Sequence, residues 1–236
     1  MYLARCELNP NRRGAKKLLG SPQAMHAAIL SCFPRSKEAD AGRILWRVDH
    51  TDAGVFVYIV AKIAPDWTGL EEQGGWPNSS TGDVRNYQPF LDSLEAGKRY
   101  SFRLTANPTH SVRTKAGGDT KRLGHVTVGH QEDWLLKKAR ANGFEIPTFT
   151  TSDDPEVEPE SAFQVTRRQV LSFWRADDKG KRGRVTLTQA EYEGVLVVTD
   201  HDRLVKALIS GIGPAKGYGC GLLTLAAPPT GQVRVL

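Results

Sequence analysis

Cysteine is scarce in this chain of 236 residues: there are three, Cys6, Cys32 and Cys220, and they lie far apart. An odd, scattered set argues against a disulfide framework and lacks the paired spacing of a zinc site. Each falls in an apolar pattern, so all three are expected in the core. No run of about 18 apolar residues occurs, and no membrane-spanning helix is expected. The N-terminus enters a strand pattern at Tyr2 without a basic and apolar leader, so the expected location is the cytoplasm. Carboxylates cluster only at 151–160, where five acidic residues stand with two prolines. They lack the spacing of a calcium loop and read as an acidic surface loop. Neither a metal nor a cofactor is expected.

Positive charge is plentiful. Thirty-two Lys and Arg against 26 Asp and Glu give a net charge of +6 and a pI of about 9.3. That balance favours an anionic partner but specifies no fold. A hydrophobic content of 39% supports a core for one large or two small domains.

Periodicity supplies the architecture. Tyr2, Ala4, Cys6 and Leu8 alternate as in a half-buried strand that ends at Asn9-Pro10. Ser21-Pro22 starts a helix that turns Met25, Ile29, Cys32 and Phe33 inward, and Pro34 stops it. In the second strand Ile44, Trp46 and Val48 alternate with Arg43, Leu45 and Arg47; the turn Asp52-Ala53-Gly54 leads to a third, Val55–Val60. A weak helix follows Pro65-Asp66-Trp67, residues 71–89 read as loop, and Tyr100–Ala106 reads as a fourth strand. In the second half, His110–Arg122 reads as a basic loop, His125–Val128 as a short strand and Gln131–Ala141 as a helix. Phe163–Trp174 and Arg184–Thr199 are β-like; Asp200 caps a helix carrying Leu204, Val205, Leu208 and Ile209, and Leu222–Leu225 is the last strand. The expected class is α+β: tandem ferredoxin-like (RRM-like) domains at 1–107 and 108–236, each a split βαβ antiparallel sheet with helices on one face. The first strand of the second copy is poorly marked.

Three kinds of segment carry candidate chemistry. His26 falls in the second turn of the Ser21-Pro22 helix, near its positive end, at the flank of the apolar face. Gly211–Gly221 holds five glycines with Lys216 and Tyr218; such a loop can offer N–H groups and a cation to a phosphate. A helix precedes it and a strand follows, the reverse of the dinucleotide fingerprint. Two basic segments, Arg12, Arg13, Lys16 and Lys17, and Arg175, Lys179, Lys181 and Arg182 about an Asp-Lys-Gly turn, read either as solvated surface or as phosphate contacts.

Leu8-Asn9-Pro10, Met25-His26, Leu45-Trp46-Arg47, Phe102–Pro108, Tyr192-Glu193-Gly194-Val195-Leu196 with Thr199-Asp200, and Gly211–Leu223 occur in an order that resembles the CasE family. That family comprises the type I-E CRISPR endoribonucleases, which process precursor CRISPR RNA. The resemblance implies binding of a repeat stem-loop and metal-independent cleavage at the 3′ base of the stem. Attack by the 2′-hydroxyl would leave a 2′,3′-cyclic phosphate and a 5′-hydroxyl, and the product would be retained with the other subunits of Cascade. It further implies His26 as the catalytic histidine, the basic hairpin as the stem-binding element, and Gly213, Lys216 and Gly217 as part of a loop that holds RNA. Where some members have a tyrosine three residues before the histidine, this chain has Gln23. An amide can donate a hydrogen bond but does not exchange a proton near neutral pH. Tyr218 and Lys216 are candidate substitutes that sequence alone does not place beside His26. Two other readings stay open: a repeat-RNA binding and assembly subunit with little catalysis, and a nucleotide-cofactor enzyme resting on the glycines.

Overall fold

The computed structural model describes residues 1–34, 42–113, 120–150, 159–176 and 182–228. Most of the expected acidic loop, together with Lys179 and Lys181, lies outside them.

The described chain runs β1 (Tyr2–Leu8), α1 (Arg13–Leu19), α2 (Pro22–Ser31), β2 (Leu45–Thr51), β3 (Gly54–Ala61), α3 (Thr68–Gly74), β4 (Gly82–Asn86), α4 (Gln88–Asp92) and β5 (Arg99–Ala106). It continues through β6 (Thr109–Arg113), β7 (Thr120–Gly124), α5 (Val128–Ala141), β8 (Phe144–Glu145), β9 (Thr148–Phe149), β10 (Glu160–Ser161) and β11 (Phe163–Ala176). The last elements are β12 (Arg182–Val198), α6 (His201–Ser210), a 3-10 turn at Lys216–Tyr218 and β13 (Leu223–Ala226). No helix among the described residues is long and apolar enough to cross a membrane.

Two compact units result. The first comprises Met1–Leu94 with Leu208–Gly211 and Ala215–Leu222; the second comprises Glu95–Ala207, Ile212–Pro214 and Leu223–Leu236. In the first, an antiparallel sheet has the order β2-β3-β1-β4. With helices between β1 and β2 and between β3 and β4, this is the ferredoxin-like arrangement. The alternation in β1 does what its pattern predicts: Ala4, Cys6 and Leu8 are buried. They pack with Met25, Ala28, Ile29, Cys32 and Phe33 from α2 and its end, and with Val57 and Ile59 of β3. The three cysteines are buried, and none forms a disulfide among the described residues.

The fourth strand of this sheet is not Tyr100–Ala106 but β4, inside the stretch expected as loop. Gly-Asp-Val-Arg-Asn is short, polar and at an edge, so it carries no alternation to detect. Glu71 organises it instead: its Oε1 accepts hydrogen bonds from the backbone N–H groups of Thr81 (2.7 Å) and Gly82 (2.8 Å). The basic segment at 11–17 also departs from loop. It forms α1 because Ala15 and Leu18, three apart on one face, are buried.

The second unit repeats the plan. Its main sheet runs β11-β12-β5-β13, with β8 added to β12. Here β5 is the first strand, α5 the first crossover, and β11 and β12 a long antiparallel ribbon; α6 leads to the fourth strand, β13. The poorly marked first strand of the second copy is thus β5, which the sequence reading places before a boundary at 107. Residues 109–113 and 120–124 pair as a hairpin rather than lying as basic loop. His125–Val128 is no strand: Thr127 is the N-cap of α5, its hydroxyl accepting from His130 N at 3.4 Å. The fold is α+β with two ferredoxin-like units in tandem.

Candidate active site

Helix α2 fixes His26. Ser21 Oγ accepts from Ala24 N at 3.2 Å and Pro22 occupies the first turn, so the helix start is set by its own sequence. Met25, Ala28 and Ile29 anchor the helix to the core. His26, one residue past Met25, emerges half-buried in the second turn. Gln23, three residues earlier, lies on the same side of the helix.

The part of the glycine-rich loop that belongs to the same unit, Ala215–Leu222, meets this histidine. Gly211 (φ +77°), Gly213 (+79°), Ala215 (+64°), Gly219 (+77°) and Gly221 (+91°) all take left-handed backbone, which folds the loop tightly. Ala215 accepts the conformation despite its Cβ, at a cost of about 1–2 kcal/mol. Between Ala215 and Gly219 runs the 3-10 turn. A Cβ placed on Gly217 would lie 3.6 Å from Cε1 and 3.7 Å from Nε2 of His26. The Tyr218 ring lies 6.5 Å from the imidazole, centroid to centroid, inclined by 53°. The structure therefore brings His26, Gly217 and Tyr218 together, and it places the phenol that sequence alone left unplaced.

Two contacts hold the loop there. Gly219 packs on Trp46 so closely that a Cβ would sit 2.9 Å from Cζ3 of the indole. Arg47 Nη1 donates to the Leu222 carbonyl at 2.9 Å, while Nη2 donates to Asp49 Oδ2 at 2.8 Å. Strand alternation puts Arg47 on the polar face opposite Trp46, yet it is 1% exposed. The 3-10 turn packs on β2 as well as on α2, and the face that carries Leu45 and Arg47 is covered in turn by Gly211, where a Cβ would stand 2.8 Å from Leu45 Cδ2, and by the Leu222 carbonyl. Nothing in a local pattern reveals that second cover.

Lys216 donates from Nζ to the Ser210 carbonyl at 2.6 Å. Partial burial, and next the charge of Arg43, hold its pKa below the ordinary lysine value. One of its three N–H donors is thus spent on the end of α6, leaving two for an anion.

The remaining sequence candidates divide. Gly213 belongs to the second unit, where a Cβ would meet Trp134 Cζ2 at 2.9 Å, so close packing accounts for this glycine. Arg12 caps α3: Nη1 donates to the carbonyls of Glu71 (3.3 Å) and Gly75 (3.0 Å), and Nη2 to that of Glu72 (2.8 Å). Arg13, Lys16 and Lys17 are exposed on α1. The β11-β12 ribbon pairs as far as Arg175↔Gly183 and Ala176↔Arg182. The side chains of Arg175 and Arg182, like Lys179 and Lys181, are outside the described residues. Just before the tip, Trp174 is 65% exposed and Val170 64% exposed. The sequence reading overlooked these two; their signal was the alternation of Arg168, Val170, Ser172 and Trp174 along the solvent face.

Comparison with known proteins extends over nearly the whole chain. A family model described as CRISPR associated protein matches residues 1–227. The chain is 31% identical over 229 residues to the CRISPR-associated endoribonuclease Cse3 of Thermus thermophilus, covering 96% of this chain and 100% of that one. It is 32% identical over 140 residues to the CRISPR system Cascade subunit CasE of Escherichia coli, covering 56% of this chain and 60% of the relative. Among solved structures, T. thermophilus Cse3 bound to an RNA representing a pre-cleavage complex has a TM-score of 0.72 at 27% identity, over 95% of this chain and 98% of that one. A Cse3 endoribonuclease bound to a 19-nucleotide RNA gives 0.71 at 28%, over 96% and 100%.

Proposed function

The chain belongs to the CRISPR-associated protein family, and from that membership we propose that it is an endoribonuclease of precursor CRISPR RNA. It binds the repeat stem-loop and cuts once at the 3′ base of the stem. It then keeps the mature crRNA and joins the other Cascade subunits in the cytoplasm. The observation that carries the reading is the half-buried His26 set against the Lys216-Gly217-Tyr218 turn.

The chemistry follows from those groups. The nucleophile is the RNA's own 2′-hydroxyl. Its oxygen forms a bond to the adjacent phosphorus while the bond from phosphorus to the 5′-oxygen breaks. The 2′-hydroxyl loses a proton and the departing 5′-oxygen gains one, leaving a 2′,3′-cyclic phosphate and a 5′-hydroxyl. An imidazole can serve either transfer near neutral pH. Tyr218 supplies the phenol that is missing at position 23, and Gln23 donates a hydrogen bond to a phosphate oxygen. Lys216 places a positive charge beside the developing phosphorane, where fixed charges count most. Because the substrate furnishes its own nucleophile, no step calls for a metal-bound water.

The stem is gripped elsewhere. The ribbon cations Arg175, Lys179, Lys181 and Arg182, with the exposed Trp174, bind the phosphates and stack on RNA. Arg13, Lys16 and Lys17 add further phosphate contacts, whereas Arg12 is occupied by its cap. The deciding test is RNA with a 2′-deoxy residue at the scissile nucleotide: it should bind as tightly as the all-ribose RNA and remain uncut. Cleavage of that substrate would refute the mechanism. Gln23→Tyr tests the second reading, an assembly subunit with weak catalysis, which the missing tyrosine favours. A cleavage gain of tenfold or more, by order of magnitude for one proton-transfer group, would support it.

A further inference from the structure

The second unit holds a pocket that the proposed cleavage site does not use. It has a volume of about 350 Å³ and is lined by Thr109, His110, His125, His130, Asp133, Trp134, Lys137 and Lys138, with Ala141 at its edge. Half of the chain's six histidines are here. The His110 and His125 rings are 4.6 Å apart and the His125 and His130 rings 5.6 Å apart. The cluster is built, not accidental: His125 N donates to the Pro108 carbonyl at 2.8 Å, and its carbonyl accepts from Gln131 Nε2 at 2.8 Å. Gln131 is fully buried, and its own carbonyl accepts from the Tyr192 hydroxyl at 3.1 Å. Next in sequence, the Val126 carbonyl accepts from Arg168 Nη2 at 2.9 Å.

Burial, then the nearby His110, His130 and Lys137, hold the pKa of His125 below its ordinary value, against a smaller opposing pull from Asp133. An anion entering the pocket would offset the positive groups beside His125 and favour its protonated form. Lys137 and Lys138 outnumber Asp133 in the lining, so the complementary guest is an anion. The volume accommodates a nucleotide. His110 and His130 are exposed and offer flat rings to a base, as aromatic platforms do for single strands. Asp133 can accept from a base amino group or a ribose hydroxyl. The β6-β7 hairpin, which begins at the pocket, continues the basic surface with Arg113, Lys121 and Arg122, all exposed.

We propose that this pocket binds one phosphate-bearing nucleotide of a single-stranded stretch flanking the repeat stem. The inference rests on the reading of the chain as a repeat-RNA binder. Binding couples to protonation, so affinity for the flank rises as pH falls from 7.5 to 6.0.

Two measurements test it. In the first, the histidine C2–H resonances of the full chain are followed by NMR against pH with adenosine 5′-monophosphate, adenosine or inorganic phosphate. The monophosphate should raise the midpoint of His125, and adenosine should not; no response to any of the three overturns the site. In the second, affinities are compared at pH 6.0 and 7.5 for a stem-loop carrying the 2′-deoxy block, with and without a four-nucleotide single-stranded flank. The His110→Gln/His125→Gln/His130→Gln variant should lose about tenfold on flanked RNA at pH 6.0, the size of one stacked nucleotide. Lys137→Gln/Lys138→Gln, two residues of α5 that line the pocket, should lose a similar factor and guards against misfolding of the triple variant. Equal losses on both RNAs, or none on either, overturn the proposal. A response to the free monophosphate without any flank-dependent gain contradicts RNA as its source. Stem-loop affinity and cleavage report separately on the proposed endoribonuclease, so its failure would be seen apart from that of the pocket.

Discussion

Gly217 and Gly219 are two residues apart in one loop and should respond oppositely to the same change. At Gly219 a Cβ would stand 2.9 Å from Cζ3 and 3.2 Å from Cη2 of Trp46, and the backbone is left-handed at φ +77°. The conformation costs an alanine about 1–2 kcal/mol, and overpacking against a buried indole adds about 1–3 kcal/mol. Gly219→Ala should therefore destabilise the protein by about 2–5 kcal/mol. At about 2–4 °C per kcal/mol for a chain of this size, the thermal midpoint falls by about 4–20 °C. Gly217 is not left-handed, and its added methyl would touch His26 at 3.6 Å, an ordinary packing distance. Gly217→Ala should be neutral or stabilise by about 0.4–1 kcal/mol through the unfolded chain. Thermal unfolding followed by circular dichroism separates the two. A loss at Gly217 equal to that at Gly219 would refute the packing of this loop on α2 and β2.

Other outcomes follow from the same geometry. His26→Ala should lower single-turnover cleavage by about 10²–10⁴-fold, the range for a lost general acid or base, with RNA affinity nearly unchanged; equal loss of both would assign His26 to folding or binding. Tyr218→Phe should slow cleavage by about 10²-fold if its phenol carries a proton, and a rate within twofold of the parent would remove it from the site. Lys181→Glu/Arg182→Glu should weaken stem binding and flatten its salt dependence, whereas an unchanged slope would exclude the ribbon from the contact surface. Burial raises the Cys6 thiol to about 11 and that of Cys32 to about 12, from 9.0. Above pH 9 the unfolded chain thus binds fewer protons than the folded one, and stability falls as pH rises. The urea midpoint should decline between pH 9 and 11, less steeply in Cys32→Ala; an identical decline in the variant would contradict the burial.

The helix carrying His26 was legible because cap, proline and apolar spacing agree within a dozen residues. So were β1 by its alternation, β3 by its continuous apolar run, and the long ribbon, which reads as β despite the register shift between Val165 and Arg167. The edge strand β4 was not, since its formation depends on Glu71 reaching eleven residues along the chain to Gly82. Missing β4 displaced β5 into the wrong sheet and hid the first strand of the second copy. The basic segment at 11–17 was half legible. Its charge is obvious, but only the structure shows that Arg12 is occupied with carbonyls of α3 while its neighbours face solvent. The glycine-rich loop declared itself by composition, yet its distance from His26, nearly two hundred residues in sequence, cannot be read from any local pattern. The three-histidine pocket escaped for the same reason: His110 comes from a hairpin, His125 from a connection and His130 from a helix.

The most direct test of the central claim is to incubate the purified protein with its host's CRISPR repeat RNA in EDTA and map the product ends. The account predicts a single cut at the 3′ base of the stem, with a 2′,3′-cyclic phosphate on one fragment and a 5′-hydroxyl on the other. Tight binding without a cut, or fragments ending in a 3′-hydroxyl and a 5′-phosphate, would contradict it.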